Sequence, residues 1–523
     1  MAPPINIKGV GFAAGPALFA LLLLLPPPSG MPVAAQRAAA VVAWMAAWWL
    51  SEAIPIPATA LVPLVAFPLL GVSGAAETSA AYADPTIFLF MGGFFLAAAM
   101  ERWGLHRRIA LGVVSLIGLS PTRIVLGFML ATAFVSLWIS NTATTVMMLP
   151  IALAVARQVA GSPQGGAEGG AGAADGGRAP AASGPAGSVP QRQFAMVLML
   201  SIAYAATIGG IGTLIGTPPN LVFAGVARQM FADLGEVTFL RWLAFGMPMV
   251  LIYLPLSWLY ITRCAAPLHR MALPGSRDSV EAQRRALGSM NPGEKVTLAV
   301  LAAATFLWVF RADLVLGDFT IPGWATALGV DKHVHDATVA MAAALFLFCF
   351  PVKSPAPAGG RQFILDWDSA QKIPWGVLLL FGGGFAMAHG VHQSGLAGWA
   401  GGMLQGVAHW PPILMIAAVA LSVTLMSEFA SNTAIATTFM PILGATAQGA
   451  GLHPYVLMAP GAMAATLGFM LPVSTPPNAI VFGTGYIRVR EMVRAGIWMD
   501  LAGVLLVTLI VRYISLPLLG IPL

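Results

Sequence analysis

Apolar residues run in long blocks along this chain, near 10–28, 36–53, 55–71, 86–101, 194–228, 242–262, 295–311, 337–351, 374–392, 455–486 and 495–518. A helix needs roughly 20 apolar residues to cross the hydrocarbon of a bilayer. The blocks therefore predict eleven crossings. Alternating strands of about ten residues are absent, which argues for helices and against a barrel. Two further apolar segments, 122–157 and 412–448, are nearly twice the length of a crossing and carry a polar string at their midpoints.

Those strings nearly repeat each other, 291 residues apart. The first is Ser136-Leu-Trp-Ile-Ser140-Asn141-Thr142, with Pro150 beyond it; the second is Ser427-Glu-Phe-Ala-Ser431-Asn432-Thr433, followed by Pro441. Polar residues are worst placed at the centre of a continuous span. A re-entrant hairpin, with a half-helix in, a turn at Ser-Asn-Thr and a half-helix out, accommodates them. Each hairpin is followed by a second matching element, Gly216-Thr217-Pro218-Pro219-Asn220 and Ser474-Thr475-Pro476-Pro477-Asn478. Paired prolines remove two donors and break a helix, so 194–228 and 455–486 read as crossings interrupted at mid-membrane, with freed carbonyls available as ligands.

The repeat extends upstream in register: Gly93 lies 47 residues before Ser140 and Gly384 lies 47 before Ser431. Downstream the first copy is 33 residues longer, which a Gly/Ala/Pro/Ser-rich stretch at 161–192 accounts for. Its composition predicts a disordered surface insert with no ligand role. Five crossings separate the hairpins, an odd number, so the two enter from opposite faces and the repeats are inverted. This map puts 20 of the 26 Lys and Arg residues on the side of the first hairpin's mouth. Only Arg37, Arg228, Arg241, Arg311 and Lys332 fall on the other, and Arg512 lies within the last span. Such a bias makes the first side cytoplasmic, with the N-terminus inside and the C-terminus outside. The stretch from Lys8 to Pro28 reads as a retained first span in preference to a signal peptide, since Lys8 alone supplies its positive region.

Composition agrees. The chain of 523 residues is 58% hydrophobic and 9% charged, against about 25% charged in soluble domains. No basic tract interleaves with aromatics, so nucleic acid is not implied. Cys264 and Cys349 offer neither metal spacing nor a disulfide framework. His-Glu-x-x-His and Gly-x-Ser-x-Gly do not occur, which argues against an intramembrane enzyme.

The hairpins offer hydroxyl and amide oxygens and almost no formal charge. Segment 122–157 has Arg123 and Arg157 only at its ends, and 412–448 has neither Lys nor Arg. An anion held there must be met by helix N-termini and co-bound cations. A cation must be met by neutral oxygens, which suits Na⁺. Each ligand would compensate the other, and that is a physical basis for coupling.

This constellation resembles the divalent anion/sodium symporter family of sodium-dependent dicarboxylate and citrate carriers, from about residue 36 to 518. The resemblance implies an all-α polytopic membrane protein with eleven transmembrane helices, two re-entrant hairpins and inverted repeats. It further implies a homodimer built by a scaffold domain, and a transport domain that slides as an elevator. Carried over by position, one Na⁺ site would use Ser136, Ser140, Asn141 and the backbone near Gly216. The other would use Ser427, Asn432, the Ala430 carbonyl and the backbone near Ser474. Substrate carboxylates would meet Asn141, Thr142, Asn432 and Thr433, with Thr217 and Thr475 close by. On this pattern 1–121 forms scaffold helices and an interfacial arm. Residues 122–262 form the first half of the transport domain and 263–294 a cytoplasmic linker. Residues 295–411 form the second scaffold half with its arm, and 412–523 the second half of the transport domain. The expected activity is Na⁺-coupled import of a small dicarboxylate (succinate, fumarate or malate) across the inner membrane. Sulfate or citrate as cargo, or Na⁺-independent exchange, are the alternatives.

Other residues attract attention. The cluster Asp331-Lys-His333-Val-His335-Asp336 reads as a solvated external loop. His389 and His392 share a helix face and read as interfacial. Glu428 either tunes the second cation site or faces a polar crevice, and Glu52 and Asp500 have no assigned role. Amphipathic stretches 102–120 and 393–410 read as interfacial arms.

Overall fold

The structure, a computed structural model, describes residues 7–118, 120–159, 189–268, 284–316, 319–353, 361–403 and 410–522. Most of the insert at 161–192 and the middle of the 263–294 linker lie outside the described residues; Gln191 and Arg192 already belong to a helix.

The described residues are predominantly helical. Among the described residues seven helices are long and apolar enough to cross a membrane. They are Val33–Ser51, Ala75–Trp103, Gln191–Gly210, Phe239–Ala265, Pro292–Val309, Trp375–Gln393 and Val489–Leu518. Burial sorts them by depth. Gln191–Gly210 is 89% buried and sits at the centre, whereas Val33–Ser51, Pro292–Val309 and Val489–Leu518 are 39% buried and form the rim. Shorter apolar helices, Lys8–Leu24, Ile56–Leu70, Asp336–Cys349 and Tyr455–Thr466 among them, stand at the other expected crossings. The 55–71 block is split into Ile56–Thr59 and Val62–Leu70, with Pro57 and Pro63 each in the first turn. Proline is tolerated there because the first helical N–H groups have no intrahelical partner.

Both overlong segments fold as helix–turn–helix units. Pro121–Ser136 and Asn141–Val159 flank the first Ser-Asn-Thr, and Pro412–Ser427 and Asn432–Gly449 flank the second. Both proline pairs start a new helix after an extended residue. Thr217 (φ −145°, ψ 145°) precedes Pro218–Met230, and Thr475 (φ −136°, ψ 147°) precedes Pro476–Phe482. A residue before proline is driven out of the α region, so Val189–Gly210 and Tyr455–Thr466 cannot run on through the prolines. Two non-helical links result, 211–217 and 467–475.

Helix crossings between repeats bring the motifs together. Asn141–Val159 packs on Pro476–Phe482, and Asn432–Gly449 packs on Pro218–Met230. Each hairpin thus lies against the broken helix of the other repeat. Helices also stand at the two stretches expected as arms. Gly104 and Gly395, at matching positions, take φ +69° and +79°, a conformation open to glycine. They release Leu105–Ile117 and Leu396–Met403 from the preceding helices; residues 404–409 of the second arm lie outside the described residues. Two short antiparallel strand pairs, Leu314–Leu316 with Phe319–Ile321 and Pro351–Lys353 with Arg361–Phe363, were not expected in an all-helical chain. Both close loops between helices and are too short to show as alternation.

Candidate cation and anion site

Ser136 ends the first half-helix and Asn141 begins the second. Ser136 Oγ lies 2.9 Å from Asn141 Oδ1 and 2.7 Å from the Ala206 carbonyl. In the second hairpin Ser427 Oγ lies 2.8 Å from Asn432 Oδ1 and 2.6 Å from the Ala465 carbonyl. A hydroxyl has one proton to donate, so in each copy two acceptors compete for it. The result is a cluster of oxygen lone pairs in excess of donors, which suits a small hard cation.

Each link is gathered by its Pro-Pro-Asn asparagine. Asn220 Nδ2 donates to the carbonyls of Gly210 (3.0 Å) and Thr213 (2.7 Å). Asn478 Nδ2 donates to those of Gly468 (3.0 Å) and Leu471 (3.1 Å) and to Ser474 Oγ (3.1 Å). Both side chains are buried, and in both Oδ1 has no hydrogen-bond partner among the described residues. Buried acceptors are seldom left unpaired, and finding the same atom unpaired in both repeats marks a place where a ligand or ordered water belongs. Asn220 and Asn478 were absent from the sequence-derived site. Their place in the motif was visible, but nothing in the string says which way an amide turns.

The expected ligands fall as follows. Asn141 Oδ1 packs on Gly210, and a Cβ at Gly216 would sit 2.5 Å from the Gly210 carbonyl oxygen and 2.9 Å from that of Ser136. Ser136, Asn141 and Gly216 therefore converge. So do Ser427 and Asn432, the latter donating from Nδ2 to the Thr466 carbonyl at 3.2 Å. Ser474 Oγ contacts the carbonyls of Gly468 (3.0 Å) and Leu471 (2.7 Å), so its hydroxyl ties the link together. Thr217 and Thr475 are buried, Ala430 and Thr433 are partly buried, and Thr142 is exposed. Ser140 lines a cavity of about 520 Å³ together with Phe94, Glu101, Arg102 and Lys372.

Residues 10–520 match the family model described as the sodium:sulfate symporter transmembrane region. The chain belongs to this family. It is a family of membrane transporters, the one anticipated from the paired Ser-Asn-Thr and Pro-Pro-Asn motifs. Among curated relatives, the sodium-dependent dicarboxylate transporter SdcS of Staphylococcus saprophyticus is 40% identical over 514 residues, 98% of this chain and 92% of the relative. The protein of the same name from Staphylococcus aureus strain MRSA252 is 39% identical over 512 residues, with the same coverage. Among solved structures, Neisseria gonorrhoeae MtrF aligns with a TM-score of 0.54 at 11% identity, over 97% of this chain and 96% of that one. At that identity the likeness concerns the fold alone.

Several other expectations are corrected by the geometry. The 331–336 cluster is solvated only at Asp331, Lys332 and His333. Asp336 is buried, and its Oδ1 meets Arg311 Nε at 2.5 Å. His335 Nδ1 accepts from the Ala337 N–H at 3.0 Å, and its Nε2 lies 3.0 Å from Glu236. Glu428 does not face a crevice: it is fully buried and binds backbone amides. Glu52 takes a left-handed conformation (φ 48°) at the end of Val33–Ser51, 3.8 Å from Lys8.

Proposed function

We propose that this protein is a secondary active transporter that couples Na⁺ entry to import of small dicarboxylates of the succinate, fumarate and malate class across the inner membrane. The observation that carries the reading is the doubled Ser–Asn oxygen cluster beside a proline-broken link, in hairpins free of lysine and arginine at their tips. Each cluster would hold one Na⁺ through Ser136, Ser140, Asn141 and the Gly216 backbone, or through Ser427, Ala430, Asn432 and the Ser474 backbone. The carboxylates would lie between them on Asn141, Thr142, Asn432 and Thr433, near Thr217 and Thr475. The names of the SdcS relatives support both ion and cargo. With no fixed cation in the hairpins, a divalent anion is poorly held until Na⁺ is bound, and Na⁺ gains from the anion in turn. Each net positive charge carried inward also adds about 2.3 kcal/mol per 100 mV of membrane potential.

The hairpins and broken helices form the transport domain, which moves as an elevator against a scaffold of 1–121 and 295–411, two copies of which make a homodimer. The cavity at Ser140 is bordered by Arg102 and Lys372, residues that the charge bias assigns to the cytoplasmic side. This supports a form open toward the cytoplasm.

Uptake of labelled succinate into proteoliposomes, with and without an inward Na⁺ gradient, tests the reading. Na⁺-stimulated uptake is expected, and it should be lost in Asn141→Ala and in Asn432→Ala while both remain monodisperse. Normal uptake in both variants would overturn the site. Competition by sulfate or citrate in place of fumarate would keep the fold and change the cargo. Counterflow without Na⁺ would make the protein an exchanger.

A further inference from the structure

Glu428 follows Ser427 at the turn of the second hairpin. Its Oε1 accepts from the Met470 N–H and its Oε2 from the Leu471 N–H, each at 3.0 Å. Asp500, buried in the Val489–Ile510 helix, accepts from the Phe469 N–H at 3.3 Å. Three consecutive amides of the 467–475 link therefore end on two carboxyls. The contact passes on: the Leu471 carbonyl accepts from Ser474 Oγ and from Asn478 Nδ2. Only two hydrogen bonds separate the acid pair from the second cation site. The other titratable groups facing it are Tyr204 of the central helix, which donates to the Phe469 carbonyl at 3.0 Å, and Tyr253 of Phe239–Tyr260, which donates to that of Met499.

The first repeat is built differently at the same place. Phe239–Tyr260 and Val489–Ile510 correspond, each continuing through a π turn. Gly246 and Gly496 correspond within them and pack on the two links, against the carbonyls of Ile211 and Phe469. On that alignment Asp500 stands where the first repeat has Val250, and Glu428 where it has Leu137. Those two apolar side chains face Gly212, the counterpart of Met470. The first link needs no acid, because its amides bond to nearby carbonyls: Ile211 N–H to Ile208 (3.2 Å) and Gly212 N–H to Gly209 (2.9 Å).

We propose that Glu428 and Asp500 are positioning residues for the second cation site alone. They hold its unwound link in shape through amide bonds that the first link makes to its own backbone, so that two sites of equal local geometry rest on different supports, and the second loses Na⁺ affinity when its acids are altered. The inference rests on the transport reading above.

The test measures the Na⁺ dependence of succinate uptake in Glu428→Gln, Asp500→Asn and Glu428→Asp. A double variant, Glu428→Leu with Asp500→Val, installs the residues of the first repeat. In the Gln and Asn variants the half-saturating Na⁺ concentration should rise at least tenfold, with Vmax at saturating Na⁺ within twofold of wild type. Glu428→Asp should recover part of the shift. Wild-type Na⁺ dependence in both conservative variants overturns the proposal, as does a fall in Vmax with unchanged Na⁺ dependence, the mark of a purely structural role. If the double variant does not fold, the isosteric variants decide. Na⁺ binding is read separately, from the Na⁺-dependent rise in melting temperature without substrate. A wild type that binds Na⁺ but carries no dicarboxylate sinks the transport reading, and the same shift in binding across the variants still decides the inference. A wild type without Na⁺-dependent stabilisation overturns it.

Discussion

Arg311 Nε meets Asp336 Oδ1 at 2.5 Å, with both side chains no more than 5% exposed. The pair ties a segment after Pro292–Val309 to the start of Asp336–Cys349, and Asp336 Oδ2 also accepts from the Phe239 N–H at 2.7 Å. Removing one partner of a buried pair strands the other charge, at roughly 3–5 kcal/mol. Arg311→Ala should therefore lower the melting temperature of the purified protein far more than Arg37→Ala, whose guanidinium makes only an exposed contact to the Leu70 carbonyl.

Glu236, in the loop before Phe239, joins the same network through Arg311 (2.8 Å) and His335 (3.0 Å). Burial opposes its ionisation, but the hydrogen bonds from His335 and Arg311 and the Arg311 charge outweigh burial and hold the carboxyl down at about 2, below its ordinary 4.5. A carboxyl more acidic in the folded state stabilises that state above its unfolded pKa. This contribution is complete above about pH 4.5 and is lost as pH falls toward 2. Thermal melts between pH 6 and pH 3 should show declining stability at the acid end, and Glu236→Gln should flatten that decline.

Gly216 is enclosed by the carbonyls of Gly210 and Ser136. These are backbone atoms that cannot swing aside as a side chain would. Gly216→Ala should displace them, reducing Na⁺-driven uptake by an order of magnitude or more at a stability cost of roughly 1–3 kcal/mol. Gly112→Ala meets open space and should leave uptake unchanged.

Asn220 and Asn478 hold their links by side-chain donors. Replacing either by Ala leaves buried carbonyls unpaired, at roughly 1–3 kcal/mol. Asn220→Asp and Asn478→Asp keep the shape but lose the donor, and should be no better tolerated. Melting temperature and Na⁺-driven uptake, measured together, check this.

The helix–turn–helix units and the proline-broken helices were legible in the chain because the signals are local. Ser-Asn-Thr in the middle of an overlong apolar segment, and two prolines after a threonine, each restrict the backbone where they stand. The acid pair was not legible. Glu428 was visible beside its motif, but Asp500 lies in another helix, and only folding brings both to the amides of 469–471. Asp336 was misread for a similar reason. Its neighbours Asp331, Lys332 and His333 are solvated, and the residue that buries it, Arg311, follows a different helix. The unpaired Oδ1 atoms of Asn220 and Asn478 depend on which carbonyls the Nδ2 groups find, and this is a property of the folded link.

The two oxygen clusters reproduce each other's spacings to 0.1 Å: 2.9 and 2.8 Å from serine to asparagine, 2.7 and 2.6 Å from serine to carbonyl. A solute lying between them would meet like groups at both ends. Succinate and fumarate have a two-fold axis of their own, and turning either end for end would leave its relation to the two serine–asparagine pairs unchanged. To those pairs both poses would then be alike. A lopsided anion would have two unlike poses, and the better one would have to be found. Duplication of one hairpin would in this way give the carrier a taste for symmetry that no individual side chain encodes.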